Sequence, residues 1–214
     1  MKKKTKKALW TAIALLAAFA FWTLIICFVD VQPIGPQGSS VGLATLNRWV
    51  HNITGTHMWL YTVTDWLGLV PILVAALFAV LGLIQWGNRR SLFKVDRSII
   101  ALGGFYTVVM SAYLLFEFVA VNYRPVLIEG RLEASYPSST TMLVMCVMPT
   151  AAMQLWERIK SKRLKQTATV AIYVFTAFMV AGRLISGVHW ITDIIGGALL
   201  SAGLVMGYYR LSRK

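Results

Sequence analysis

His189 and Asp193 stand four residues apart in GRLISGVHWITDIIGG, a spacing that places both on one face of a helix, one turn apart. A carboxylate so placed can accept a hydrogen bond from one imidazole nitrogen, fix the tautomer and leave the other nitrogen for a substrate. Arg183 lies across a Ser186-Gly187 turn that can bring its guanidinium back over the imidazole. A planar fork of donors beside a histidine nucleophile suits a tetrahedral phosphate. The second cluster is NYRPVLIEGRLEASYPSSTTM. Pro125 is expected to end a helix and hold Arg124 at its end. Pro137-Ser138-Ser139-Thr140 opens the next helix, with hydroxyl groups able to cap it and free N–H groups facing an anion. Taken alone, Ser138 to Thr141 reads as a well-capped helix start. What points to a phosphate site is convergence of two arginines, a helix start and the His-Asp pair on one membrane face.

The elements that position these groups must be membrane helices. The chain has 214 residues, 57% apolar and only 14% charged, too much apolar surface for a soluble domain of this size. Six apolar segments, each near the roughly 20 residues that a bilayer requires, predict an all-α polytopic membrane protein with spans at about 8–29, 61–86, 99–121, 140–156, 166–186 and 190–209. The first follows MKKKTKK without a clearly placed cleavage pattern and is expected to be retained. The chain carries 21 Lys and Arg against 8 Asp and Glu, a formal charge of +13. All but Arg48, Arg124, Arg131 and Arg183 fall in the N-terminal tail, the second and fourth connections and the C-terminus, which predicts both termini in the cytoplasm. The charge therefore reports topology and attraction to anionic membrane lipids, and no nucleic-acid partner is expected. The outward connection carries a stretch at 38–56 whose Leu43, Leu46, Val50 and Ile53 recur at helical spacing, an interfacial helix that rests on the membrane or covers something. An ionisable group at membrane depth is costly unless paired or hydrated, which marks Glu117, Arg183 and Asp193 as functional candidates.

Together these residues resemble the type 2 phosphatidic acid phosphatase superfamily of integral membrane lipid phosphatases. Its motifs are a lysine seven residues before Arg-Pro, then Pro-Ser-Gly-His, then Ser-Arg, five residues, His, three residues, Asp. Arg183, His189 and Asp193 match the third motif at its spacing, with Gly182 in place of the serine. The resemblance implies that His189 is the nucleophile forming a phosphohistidine, that Asp193 orients it, and that Arg124, Arg183 and Ser138, with Ser139 and Thr140 at the same helix start, hold phosphoryl oxygens. It implies no metal and no cofactor. The lysine position is Glu117 and the motif histidine, the family's proton donor to the leaving group, is Thr140. Glutamate cannot bind phosphate as lysine does, and threonine is no acid at neutral pH.

A missing acid favours a substrate whose leaving group needs little protonation, since expelling a phosphomonoester demands less proton transfer than expelling an alkoxide. The expectation is a polyprenyl (undecaprenyl-type) diphosphate phosphatase acting on the outer face of a bacterial cell membrane. Glu117, Glu129 or Glu133 could replace the acid, and Arg131 the lost lysine charge. Open alternatives are a phosphatidate or phosphatidylglycerophosphate phosphatase, a lipid phosphotransferase, and a non-catalytic relative that binds or transports a lipid phosphate. No obligatory protein partner is evident. His51 and His57 lack metal-ligand company, Asp65 reads as a helix-start charge, and Cys27 and Cys146 form no disulfide framework.

Overall fold

The computed structural model describes residues 2–212. They form eight α-helices: α1 (Lys2–Phe28), α2 (Ala44–Thr54), α3 (Met58–Leu67), α4 (Leu69–Arg89), α5 (Arg97–Phe118), α6 (Ser139–Arg158), α7 (Lys162–Ile185) and α8 (Ile191–Ser212). No strand is present among the described residues, only isolated bridges. Five segments are long and apolar enough to cross a membrane: Lys6–Phe28, Met58–Arg89 (α3 and α4, joined at Gly68), Arg97–Phe118, Lys162–Ile185 and Ile191–Ser212. The chain is a membrane protein.

α6 is the central helix, packed against α4, α5, α7 and α8, and it is not among the five apolar segments. Ten of its 20 residues are buried, among them Thr150 and Gln154. A helix surrounded by other helices contacts little lipid and tolerates polar side chains, which is why its hydropathy falls below that of its neighbours. Met142 and Cys146 of α6 pack with Leu102 and Phe105 of α5 and Leu200 of α8, while Met148 packs with Met179 of α7. The methionines at 142 and 148 are thus core residues. Both cysteines are free.

α1 runs antiparallel to α8. Trp22 Nε1 donates to the Thr192 carbonyl at 3.2 Å, and farther along Leu16 lies against Gly203. At the end of the bundle near the chain termini, Asp96 accepts from Gln85 Nε2 at 2.8 Å and pairs with Arg89 at 2.9 Å and Arg158 at 3.5 Å. The Gln85 and Arg89 contacts hold the Asp96 carboxyl below its ordinary range. These ties join the ends of α4, α5 and α6. His189, Ser139 and Arg124 lie at the opposite end.

One local feature differs from the sequence reading. α5 stops at Phe118, six residues before Arg124. The chain leaves the helix because Asn122 is drawn into a buried network: its Oδ1 accepts from Gly42 N at 3.1 Å, and its Nδ2 reaches Thr192 Oγ1 at 3.5 Å. Residues 122–135 then fold back as a hairpin, with Arg124 N donating to Glu133 O and Ser135 N to Asn122 O. Its tip is Glu129-Gly130, both at positive φ, the two-residue turn whose twist suits paired extended segments. α2 lies in the stretch expected to form an interfacial helix. Its inner side is Ala44 and Asn47, with the His51 ring 5.5 Å from that of Trp190, whereas Leu46, Trp49 and Ile53 are exposed. Leu43 precedes the helix in a left-handed conformation. The small and polar side of α2 therefore faces the bundle. Asn47 fixes it there by donating to Gly42 O at 2.8 Å and to Thr192 Oγ1 at 3.0 Å.

Candidate active site

His189 sits in the short connection between α7 and α8 and is buried. Its Nε2 takes a hydrogen bond from Arg124 Nη1 at 3.2 Å, and its Nδ1 lies 3.5 Å from Asp193 Oδ2. A guanidinium can only donate, so Nε2 must carry the lone pair, and the proton of the neutral ring belongs on Nδ1, toward the carboxylate. Burial, together with the positive charges of Arg124 and Arg183, pushes the His189 pKa well below 6.5 and keeps the ring neutral at neutral pH. Asp193 Oδ2 is held in turn by the Trp190 backbone N–H at 2.9 Å. Asp193 is fully buried in the first turn of α8, where an anion is favoured by the helix dipole. The result is a nucleophile-like nitrogen with a fixed tautomer.

The connection that carries His189 is tightly seated. Gly187 has φ of +67°, and a Cβ there would stand 1.8 Å from the Gly55 carbonyl oxygen. His57 N donates to Ser186 O at 2.9 Å, tying the same connection to the start of α3. A Gly187→Ala change is expected to displace the imidazole, lowering turnover on the order of 100-fold for a shift near 1 Å. Gly130→Ala, at the hairpin tip with nothing within 4 Å, is the matched control for a positive φ without crowding. Turnover of the two variants, measured side by side, checks this. Equal losses would contradict it.

Arg124 enters from the hairpin, paired through Nε with Glu133 Oε2 at 3.0 Å. A cavity of about 580 Å³ is lined by Arg124, His189, Ser139, Glu117 and Glu133 together with the aromatic rings of Tyr113, Phe118 and Tyr123. A second, mainly apolar groove of about 410 Å³ shares Tyr113 and Ser139 with it and runs between α4, α5 and α6 past Leu69, Ile72, Val109, Met110 and Leu143. Asp65 and Thr140 stand at the polar end of this groove. The two cavities together have a charged head and an apolar tail.

The remaining sequence candidates divide by position. Arg183 is buried and donates through Nη2 to Asp65 Oδ1 at 2.7 Å and to Thr140 Oγ1 at 2.6 Å. Ser138 is fully buried and its hydroxyl accepts the Thr141 N–H at 3.4 Å, so it caps α6 and does not reach the cavity wall. Ser139 takes that place. Glu129 and Arg131 are at the hairpin tip and line neither cavity, because the turn carries them away from the ring of helices. Asp65 is more than a helix-start charge, since it is the ionic partner of Arg183. Its signal in the sequence was an ionisable residue within an apolar run, the criterion that marked Glu117. Among the described residues no group of three His, Cys, Asp or Glu side chains gathers as a metal site.

The family model described as the PAP2 superfamily matches residues 101–214, the half of the chain that contains Arg124, the α6 start, Arg183, His189 and Asp193. The chain belongs to the PAP2 superfamily. Its fold is similar to a crystal structure of the first transmembrane PAP2-type phosphatidylglycerolphosphate phosphatase from Bacillus subtilis, with a TM-score of 0.63 over 94% of each chain at 18% identity. No curated protein sequence matches it. Members of the superfamily are phosphatases, which supports, at that level, a membrane lipid phosphatase and phosphoric-ester hydrolase. Of the altered residues, Glu117 lies on the cavity wall and Thr140 beside Arg183.

Proposed function

We propose that this PAP2 protein hydrolyses a polyprenyl diphosphate of the undecaprenyl type, without a metal, on the extracytoplasmic face of a bacterial cell membrane. Six spans, α6 added to the five apolar segments, with both termini in the cytoplasm, are the topology that the charge distribution supports. The observation that carries the reading is the lone pair of His189 Nε2, turned toward Arg124 in a cavity that shares Tyr113 and Ser139 with an apolar groove. The diphosphate would occupy the charged cavity, and the prenyl chain the groove between α4, α5 and α6.

In the first step His189 Nε2 forms a bond to the terminal phosphorus, and the bond from phosphorus to the bridging oxygen breaks. Prenyl monophosphate leaves with that electron pair. Asp193 stabilises the positive ring through the Nδ1 proton, and Arg124 and Arg183 balance charge on the phosphoryl oxygens. In the second step water attacks phosphorus and the P–N bond breaks, returning its electrons to Nε2. The water proton passes to Glu117 or Glu133, the carboxylates on the cavity wall.

The diphosphate assignment rests on leaving-group chemistry. Thr140 cannot supply a proton to an alkoxide, whereas a departing phosphomonoester is already a weak base. A Thr140→His variant is therefore expected to gain on phosphatidate and phosphatidylglycerophosphate relative to undecaprenyl diphosphate. The shift in the ratio of kcat/KM is on the order of 100-fold, the usual contribution of one positioned acid. Using the ratio removes any common loss from breaking the Thr140–Arg183 hydrogen bond. An unchanged ratio contradicts the assignment.

A further inference from the structure

Two departures from the superfamily pattern converge on one guanidinium. Thr140, where the motif has histidine, accepts from Arg183 Nη2 at 2.6 Å. Gly182, where the motif has serine, is buried, and a Cβ there would stand 2.7 Å from Thr64 Cγ2. The bare glycine allows α3 to approach α7 closely at Thr64, itself fully buried. That approach brings the next residue, Asp65, to 2.7 Å from the next residue on α7, Arg183. Tyr61, one turn earlier on α3, places its ring 4.9 Å from the guanidinium carbon. The arginine is thus gripped by one carboxylate, one hydroxyl and one aromatic face.

Two donors of the same group, Nε and Nη1, are buried without a hydrogen-bond partner. Unpartnered buried donors on a charged group are costly, and they become favourable when an anion supplies the missing acceptors. The Arg183 side chain is 3% exposed and that of Asp65 is 57% exposed, so the carboxylate is the half of the pair that looks onto the groove. Without a counter-charge the arginine would have reason to turn toward water. Asp65 compensates the buried charge on one nitrogen and leaves the others free.

We propose that Asp65 is the positioning residue of the phosphate-binding arm, holding Arg183 with its two free donors directed at the anion, and that Gly182 and Thr140 are the changes that make this grip possible. The inference rests on the reading of Arg183 as a phosphate-holding group. Its test separates the two. Binding of inorganic pyrophosphate to the purified full chain in detergent is measured by calorimetry, beside phosphate release from undecaprenyl diphosphate and the thermal midpoint.

Asp65→Ala and Asp65→Asn are expected to bind pyrophosphate about tenfold more weakly, within the coupling range of contacting charged groups, with Asp65→Glu recovering part of the loss. KM is expected to rise more than kcat falls. Asp65→Ala/Arg183→Ala should bind no more weakly than Arg183→Ala alone, a non-additivity that a merely structural aspartate would not produce. Asp65→Asn keeps the side-chain volume and guards against misfolding of the alanine variant. Wild-type affinity in a folded Asp65→Asn protein, or additive losses in the double variant, overturns the proposal. A wild type that binds pyrophosphate with this dependence on Asp65 yet releases no phosphate refutes the hydrolase reading while sustaining the grip. A wild type that binds no pyrophosphate removes both.

Discussion

Replacing His189 by alanine is expected to lower phosphate release on the order of 10⁴-fold or more, with little change in fold. The expectation follows from the tautomer. Arg124 can only donate, so the bond at 3.2 Å requires a lone pair on Nε2, and burial with the two arginine charges keeps the ring neutral enough to have one. No other side chain on the cavity wall offers a neutral nitrogen in that position, since its remaining ionisable groups are Arg124, Glu117, Glu133 and Tyr113, Tyr123. Removing the imidazole leaves a phosphate-binding cavity without a nucleophile. Pyrophosphate should still bind to the His189→Ala protein, because both arginines remain. A variant retaining a tenth of the wild-type rate would show that the reaction passes elsewhere.

Asp193→Asn is expected to cost nearly as much, about 10⁴-fold in kcat, although the substitution removes no atom from the cavity wall. Asp193 is fully buried and its Oδ2 faces both His189 Nδ1, at 3.5 Å, and the Trp190 N–H, at 2.9 Å. An amide that keeps its oxygen toward Trp190 loses the charge that stabilises the imidazolium as phosphorus is attacked. An amide turned the other way offers its NH₂ to Nδ1 and drives the proton onto Nε2, where it blocks attack. Either outcome lowers kcat while leaving KM near its wild-type value, since the phosphate contacts proposed above are those of Arg124 and Arg183. Steady-state kinetics in detergent decide the matter, and a rise in KM with kcat preserved contradicts this role.

The chemistry was legible where it depends on spacing along one helix or one turn. The pair His189 and Asp193 is such a case, since the four-residue interval sets them 3.5 Å apart, whereas the guanidinium that meets the imidazole is that of Arg124, and Arg183, expected there, meets Asp65 and Thr140 instead. The helix start at Ser138 was legible for the same local reason, and its hydroxyl indeed serves as a cap. Contacts between distant segments were not legible. Asp65 lies 118 residues before Arg183, and nothing in either segment names the other. The close meeting of Gly182 with Thr64 brings them together. The hairpin at 122–135 was hidden because Arg124-Pro125 reads as the end of a long helix, while the force that ends it is Asn122 bonding to Gly42, 80 residues earlier. α6 shows the converse: its polar residues weaken the membrane signal because its neighbours, rather than lipid, form its surroundings.

The departures at Glu117, Thr140 and Gly182 can be weighed in the same terms. Thr140 and Gly182 serve the fixing of Arg183, while Glu117 and Glu133 put carboxylates on the cavity wall beside the nucleophile. On the proposed reading, the residues that attack and hold phosphorus are kept and those around the leaving group are changed.

The central claim is that phosphorus passes through His189. The direct measurement is a rapid acid-free quench of wild-type protein turning over undecaprenyl diphosphate labelled in the terminal phosphoryl group, followed by peptide mapping. The expected result is a label that is stable in base, lost in acid, confined to the peptide containing residue 189 and absent from His189→Ala. Label on another residue, or full turnover with no trapped label and an active His189→Ala protein, would contradict it.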